Sequence, residues 1–331
     1  MKRILSIVVA FVATITVGAQ NIAVVNPSNT TKIYQTLDEA ITNAEKGSII
    51  YLPGGGFTVT DNAKIDKQLT IMGVSHRGDT DNADGATIIS GNLNFIAGSS
   101  HSAVIGVYIS GNVVITDSIA NFTMRYCNVN SMQVKSSKSG GMIINQCYVR
   151  NNSNFGNCNV KMSNCIIHSL QCVDGGTLEH NIFTSNIDLD PNSIYNDPLY
   201  VLYQVKNSSI AYNFLLNPGN QTHSGDNCYK DHNCAGTKSW GDNPAVLPKD
   251  TKWETVFKAP KGVTIASDYH LTETWAKSKD PDLTGIGIYG ESGNDFSDTA
   301  LAPIPRIVSK KVAEQTDGSG KLQIEVTVKA Q

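Results

Sequence analysis

One short phrase recurs between residues 101 and 216, and it narrows the possible folds more than any other feature of the chain. It reads Phe122-Thr-Met-Arg-Tyr-Cys127-Asn-Val129, Met142-Ile-Ile-Asn-Gln-Cys147-Tyr-Val149, Val160-Lys-Met-Ser-Asn-Cys165-Ile-Ile167, Gly176-Thr-Leu-Glu-His-Asn181-Ile-Phe183 and Ser208-Ser-Ile-Ala-Tyr-Asn213-Phe-Leu215. Cys127 to Cys147 is 20 residues, Cys147 to Cys165 is 18, and Cys165 to Asn181 is 16. Asn181 to Asn213 is 32, which fits either one unit with an insertion or two shorter units. An upstream copy, Ser102-Ala-Val-Ile-Gly-Val107-Tyr-Ile109, places Val107 20 residues before Cys127. Strands that stay aligned while their connections vary in length are solenoid behaviour.

Strands that recur without reversing run parallel, and parallel crossovers are overwhelmingly right-handed. Within the units, Met124, Ile144, Met162, Leu178 and Ile210 form one apolar column, and Val129, Val149, Ile167, Phe183 and Leu215 form a second. The columns are five positions apart, so a bend must fall between them to keep both inside. Between them run Cys127, Cys147, Cys165, Asn181 and Asn213. Stacked Asn side chains can pass hydrogen bonds from coil to coil. The stacked thiols read as compact core fillers in preference to disulfides between adjacent coils. The next column, Asn128, Tyr148, Ile166, Ile182 and Phe214, points outward by alternation yet is mostly apolar. Something is therefore expected to cover it, either the C-terminal hairpin or the insertion at 185 to 206.

Before the repeats, Thr36 and Glu39 form a capping box for a short helix. Leu37, Ala40, Ile41 and Ala44 share one face of it, and Gly47 supplies a stop. Ser48 to Pro53, Phe57 to Thr60 and Gln68 to Gly73 then read as short strands. A single amphipathic helix ahead of a strand series is expected to close the open end of the stack. After the repeats, Asn217 to Asp250 is polar and reads as a long excursion, while Val263 to Ile265 and Ile286 to Tyr289 look strand-like. Arg306 to Glu314 and Lys321 to Lys329 flank Thr316-Asp-Gly-Ser-Gly320 and predict a hairpin with one apolar face.

The residues from Lys2 and Arg3 through the apolar run Ile4 to Val17 to Val17-Gly18-Ala19 have the form of a secretory signal peptide over 1–19. No Cys follows the cleavage site to suggest a lipoprotein anchor, so the mature chain is expected outside the cytoplasm, in the periplasm or at the cell surface, with no transmembrane segment. Residues 20–300 then form the stacked domain and 301–331 the terminal hairpin. A formal net charge of −3 and the lack of a basic run argue against a nucleic-acid partner. Seven cysteines in an exported chain leave at least one outside any intramolecular pair. Cys228 and Cys234 are the best disulfide candidates, with two exposed thiols, or a metal pair beside His223 and His232, as the other readings.

The run from Thr36-Leu-Asp-Glu-Ala through Ile49-Ile-Tyr-Leu-Pro53 and Leu69-Thr-Ile-Met-Gly73 into these repeats resembles right-handed parallel β-helix proteins of the pectate-lyase-like superfamily. The late stretch Asp268-Tyr-His-Leu271 to Gly285-Ile-Gly-Ile-Tyr-Gly290, followed by Pro303-Ile-Pro-Arg-Ile307, looks like the ending of secreted bacterial members. The resemblance implies an all-β right-handed parallel β-helix with an N-terminal capping helix. It leaves the activity open, because the fold hosts lyases, hydrolases, adhesins and proteins with no known reaction.

Lyases of that superfamily hold Ca²⁺ with clustered acids and use an Arg or Lys base, and its hydrolases use grouped Asp residues. Neither pattern stands in the repeats, whose outward positions are mostly Asn, Ser, Thr, Tyr and Gln. The charged groups that remain are Arg125 and Glu179 in one outward column, His180 beside Glu179, and Arg150 in register with His168. They read first as solvated surface; in a lyase, Arg150 would serve the base side with His168 assisting. Asp79, Asp81 and Asp84 offer oxygen ligands for calcium, although Ala83 breaks an EF-hand pattern and a solvated turn is the plainer reading. The chemistry otherwise calls for no cofactor. Trp240, Trp253 and Trp275 could stack on sugar rings, though packing of the last coils is the preferred role. The expectation is a secreted, non-catalytic scaffold for glycan binding or surface interaction, with a polysaccharide or cell-surface glycan as the partner. A polysaccharide lyase or glycoside hydrolase and a purely structural module are the alternatives.

Overall fold

The computed structural model describes residues 21–61, 63–77, 85–184, 201–216, 227–258, 267–290, 296–298, 301–302, 306–313, 315–316 and 318–329. The leader expected at 1–19, the carboxylates Asp79, Asp81 and Asp84, the strand expected at Val263 to Ile265, and His223 lie outside the described residues.

Each repeated phrase contributes one strand to each of two sheets, and the residues after it contribute a strand to a third. The phrase at Cys127 gives Thr123–Arg125, Asn128–Val129 and Met132–Val134. The next copy gives Met142–Asn145, Tyr148–Val149 and Ser153–Cys158. Stacking yields sheets of 11, 8 and 7 strands. The strands of all three are parallel except at the N-terminal end of the first, where Ile22–Val25 runs antiparallel to both Thr31–Tyr34 and Ser48–Tyr51. The arrangement is all-β and consistent with a parallel β-helix. Among the described residues no helix is long and apolar enough to cross a membrane.

Register follows the apolar columns. Val104, Met124, Ile144, Met162, Leu178 and Ile210 lie side by side in the first sheet, and Ile109, Val129, Val149, Ile167, Phe183 and Leu215 in the second. All are fully buried. Leu178 pairs with Ile210 and Leu170 with Leu202, so the 32-residue step is one coil whose insertion falls between its second-sheet and third-sheet strands.

The bend between the columns is made by the residue just before each Cys or Asn. Tyr126, Gln146, Asn164, His180, Tyr212 and His232 all have φ between 49° and 57°, in the left-handed region, and Gly106 has φ 66°. A non-glycine residue there costs about 1–2 kcal/mol, so each corner needs compensation. Side chains supply it. Asn181 Oδ1 accepts the Cys165 N–H at 3.0 Å, and Asn213 Oδ1 accepts the N–H and side-chain amide of Asn181 at 2.8 and 3.1 Å. Asn233 Oδ1 does the same for Asn213, both at 3.0 Å. The Asn213 amide also donates to Leu178 O and Ala211 O at 2.8 Å. Earlier in the stack sulfur substitutes: Cys165 Sγ stands 3.4 Å from the Cys147 N–H, and the thiols of Cys127, Cys147 and Cys165 donate to carbonyls two residues back at 3.1–3.2 Å. Burial pushes the Cys127 and Cys147 thiols well above the ordinary range, so they serve packing and hydrogen bonding.

Asn233 brings a correction. The polar stretch 217–250, expected as an excursion, contains another unit: Tyr229–Asp231 pairs in parallel with Ser209–Ala211, and Cys234 bridges Phe214. The disulfide expected between Cys228 and Cys234 is not formed. The corner at His232 and Asn233 sends them to opposite sides: Cys228 packs on the interior core with its thiol toward Val205 O, while Cys234 belongs to a second apolar cluster outside.

Helix α1 spans Leu37–Asn43, and Thr36 Oγ1 accepts the Glu39 N–H at 3.2 Å. It lies against Ile22–Val25, Thr31–Tyr34, Gly55–Thr58 and Lys64–Ile65 with Leu37, Ala40 and Ile41 buried. It ends earlier than expected, and Gly47, at φ 86°, instead forms a turn whose N–H donates to Gln68 O in the next coil.

The outward column Ile166, Ile182 and Phe214 is buried, at 1–2% exposure. Among the described residues no part of the hairpin joins its cover, and most of the insertion at 185 to 206 lies outside them. Residues from Ala245 onward form the cover, including Leu247, Phe257, Tyr269, Leu283, Ile286, Ile288 and Phe296. Part of that cover is a strap running back along the corners: Gly287 N donates to Tyr212 O, Asn164 donates to Ile288 O, Gln146 accepts the Ser297 N–H, and Ala302 N donates to Val74 O. Ile286 to Tyr289 is thus turn structure on top of a sheet, where its strand-like pattern reflects burial. Gly287 has φ 77°, and a Cβ there would stand 2.5 Å from Phe214 Cδ2. The hairpin, Arg306–Val312 with Ile324–Lys329, forms its own two-stranded sheet, and Leu322, Ile324, Val326 and Val328 are 45–59% exposed.

Asn213→Ala strands the Asn181 N–H and two buried carbonyls, so it should lower stability by about 3 kcal/mol. Urea unfolding should show a reduced midpoint with an unchanged m-value; a midpoint within error of the parent would contradict the ladder's role.

Candidate functional site

The left-handed corner residues point outward, and at the C-terminal end of the stack three of them carry rings. His180 stacks on Tyr212 with centroids 5.1 Å apart and planes 3° from parallel, and Tyr212 stacks on His232 at 4.9 Å and 17°. The spacing is that of neighbouring strands, about 4.8 Å, so coil geometry sets the ladder. Beside it runs the first-sheet column Arg125, Asn145, Ser163, Glu179, Ala211, Asp231. The triplet Glu179-His180-Asn181 is therefore echoed two coils later by Asp231-His232-Asn233, with Ala211-Tyr212-Asn213 between.

Asp231 is well anchored. Its Oδ2 accepts the Tyr229 hydroxyl at 2.7 Å and its Oδ1 accepts the Asn243 amide at 3.0 Å. His232 Nδ1 stands 2.8 Å from Oδ2. The Tyr229 hydroxyl is the main reason that Asp231 titrates below the ordinary carboxylate range. His180 Nδ1 is buried without a hydrogen-bond partner among the described residues.

Tyr212 and His232 form one wall of a cavity of about 550 Å³. Asn243 also lines it, together with Asp280, Asp282 and Thr284 from the loop before the strap. Asp282 Oδ1 accepts both the N–H and the hydroxyl of Thr284, at 3.0 and 2.6 Å, and the hydroxyl chiefly holds its pKa below normal. Lys279 approaches Asp282 Oδ2 at 3.8 Å. The volume falls within the range of small-ligand sites.

A smaller cavity of about 220 Å³ shares Thr284 and Ile286 with the first. At its edge His270 stacks on Tyr289 at 4.0 Å between two carboxylates, with Nδ1 2.7 Å from Asp268 and Nε2 3.5 Å from Asp298. Burial works against ionisation of Asp268, but the backbone N–H and ring of His270 outweigh it and leave the pKa below normal. The Tyr289 hydroxyl donates to Asp298, whose backbone carbonyl accepts from Arg77. This cluster ties the 267–271 loop to the strap.

The structure brings only His180, with Glu179 beside it, to the main cavity's neighbourhood. Arg150 and His168 do share a column, but the Arg150 guanidinium donates to Asn128 Oδ1, Ile109 O and Ser110 O at 2.9–3.2 Å and lies 4.5 Å over the Tyr108 ring. It binds neighbouring coils together. Burial lowers the pKa of His168. Arg125 and Glu179 share a column but are separated by Asn145 and Ser163, and Arg125 donates to Asn145 at 3.3 Å. Trp240 is buried in the interior core, Trp253 packs on Phe214 and Phe257 with its indole N–H on Leu216 O, and Trp275 packs against the outer cluster. Among the described residues no group of three or more His, Cys, Asp or Glu side chains is placed to hold a metal. Sequence reading passed over Tyr212 and Asp231 and named His232 only as a metal partner of the cysteines, although the 20-residue step from Asn213 to Asn233 and the repeated acid-His-Asn triplet pointed to all three.

Comparison of the chain with family models, curated proteins and solved structures finds no match to any of them.

Tyr229→Phe removes the main donor to Asp231, so the Asp231 pKa should rise toward the unfolded value. A depressed folded pKa contributes stability above the unfolded value of about 3.9, and that contribution is lost as pH falls through the folded pKa. The variant should therefore lose less stability than the parent on acidification below about pH 4. NMR titration of the Asp231 carboxyl carbon checks the shift; an unchanged midpoint would refute the assigned cause.

Proposed function

We propose that the chain is a secreted, glycan-binding right-handed parallel β-helix of the pectate-lyase-like type, with α1 as its N-terminal cap and the ring-lined cavity at the C-terminal end of the stack as its binding site. The observation that carries this reading is the outward ladder His180, Tyr212, His232, whose Tyr212 and His232 face a cavity rimmed by Asn243, Asp280, Asp282 and Thr284. A sugar offers an apolar C–H face and a rim of hydroxyls. The apolar edges of the stacked Tyr212 and His232 rings meet the first, and carboxylate, amide and hydroxyl groups meet the second. The fixed coil spacing supports repeated contacts, because rings one strand apart can meet an extended chain at more than one point. The reading requires no cofactor, and a calcium site at Asp79, Asp81 and Asp84 stays a separate proposal, tested by thermal stability with calcium and with chelator.

One arrangement favours a second reading, glycoside hydrolysis. Glu179 and Asp231 flank the small Ala211, two strand spacings apart, or about 9.6 Å between strands. Inverting hydrolases hold their two carboxyl groups about 6.5–9.5 Å apart to admit a water. Asp231, ionised and hydrogen-bonded, would suit the base, and Glu179 the acid.

A glycan array followed by calorimetry on the purified protein separates these readings. Tyr212→Ala should weaken glycan binding about tenfold, the order of one lost aromatic contact, whereas Tyr203→Ala in the third sheet should leave it unchanged. Failure to bind any glycan, or equal binding by Tyr212→Ala, would overturn the proposal. Cleavage of the bound glycan that disappears in Glu179→Gln would replace the binding reading with the hydrolase.

A further inference from the structure

The outward face of the first sheet changes character along its length. From Arg125 onward one outward column includes Asn145, Ser163, Glu179 and Asp231. Toward the N-terminal edge the same column reads Ile33, Ala23, Tyr51, Met72 and Ile105, on five neighbouring strands and without a charge. The column beside it holds Val25, Ile49, Thr70 and Ala103. These side chains alternate with the buried Val24, Ile50, Ile71 and Val104, so they face away from the core. Ile33 is 54% exposed and Tyr51 36%, the others are partly exposed, and none belongs to either hydrophobic cluster. The hairpin carries a second bare apolar face. Leu322, Ile324, Val326 and Val328 alternate along one strand, Val312 lies opposite Ile324, and all five are about half exposed. A two-stranded hairpin is marginally stable alone and needs a layer against its apolar face, and an apolar patch that crosses several strands marks a contact surface. The two faces match in size, since a six-residue strand is about 20 Å long and five strands side by side span about 19 Å.

We propose that two copies of the chain exchange hairpins, the apolar face of each hairpin seating on the stripe of Ile33, Tyr51, Met72 and Ile105 in the other copy. The area argues for exchange in both directions. A seat of five half-exposed aliphatic side chains covers about 400 Å² of each partner, so one seat stays within the range of incidental contacts and two reach the roughly 800 Å² per partner of a stable interface. A two-fold axis makes both seats the same contact and closes the assembly. The root of the hairpin fits this arrangement. Ala302 N donates to Val74 O, two residues after Met72, so each hairpin leaves its own chain beside the stripe that its partner's hairpin fills. The assembly is independent of the glycan-binding reading, whose cavity lies at the other end of the stack.

Analytical ultracentrifugation of the purified protein over a concentration series tests this. The parent should be a dimer. Val326→Lys and Ile33→Glu, each made singly, should raise its dissociation constant about hundredfold, because each substitution enters both seats and costs about tenfold at each. An equimolar mixture of the two variants should recover the dimer, since one seat is then unaltered and the other sets Lys against Glu. Circular dichroism matching the parent shows that the variants fold. A parent that is monomeric at every concentration, a dimer that survives both substitutions, or variants that fail to recover on mixing overturns the proposal. A Tyr51→Cys with Val326→Cys double variant gives a second reading that does not depend on weakened association: it should cross-link between two chains on oxidation. A link within one chain would seat the hairpin on its own sheet and overturn the exchange.

Discussion

The structure depends on how each coil turns its sharpest corner. A single residue in the left-handed conformation swings the chain from the first sheet to the second, and the next side chain goes inward. An unsupported corner of this kind would combine backbone strain with a buried amide lacking a partner. The asparagines at 181, 213 and 233 meet both demands, because each accepts the backbone N–H of the preceding corner while its own amide donates to nearby carbonyls. In the earlier coils the cysteines fill the same position with a smaller, softer group whose thiol donates to a carbonyl and whose sulfur accepts weakly. The change from Cys to Asn along the stack is a change from packing to hydrogen bonding at one geometric position.

The same corner determines what the surface can do. Because the left-handed residue faces out, its side chains stack one strand apart on successive coils. In the middle of the stack, Gln146 and Asn164 use this position to hold the strap through Ser297 and Ile288. Toward the C-terminal end, His180, Tyr212 and His232 occupy it with rings, and the strap leaves the column at Gly287. The cavity opens beyond that departure. A structural column thus comes to line a cavity by a change of side chain, with the corner backbone kept.

Much of the fold was legible from the repeats because inward columns obey a strict rule: a side chain that must be buried at the same depth in every coil can only be apolar, small or self-satisfying. Met124, Ile144, Met162, Leu178 and Ile210 show it directly. The outer cover was legible as a need but not as a partner. The outward apolar column at Ile166 and Ile182 demanded burial, while the described part of the segment that meets it is turns and two short helices without a periodic apolar pattern. The hairpin has the clearest alternation in the C-terminal part, yet none of its described residues joins the cluster that covers that column. The candidate site was legible only at Glu179 and His180. The coil holding Asp231 and His232 was hidden by its polar composition, since Tyr229-Lys-Asp-His-Asn233 lacks the apolar middle residue that marks the other copies and places Lys230 there instead. Lys230 is tolerated because its ammonium lies 5.2 Å over the Trp240 ring at the end of the stack.

Amide hydrogen exchange at the corners tests the central claim most directly, since it reads the side-chain-to-backbone bonds one residue at a time. The N–H groups of Cys165, Asn181 and Asn213 should belong to the slowest-exchanging class, opening only with global unfolding and far more slowly than the hairpin at 306–329. Exchange of these corner amides at the hairpin's rate would show that the ladder does not hold the coils, and would remove the basis for the outward column built on it.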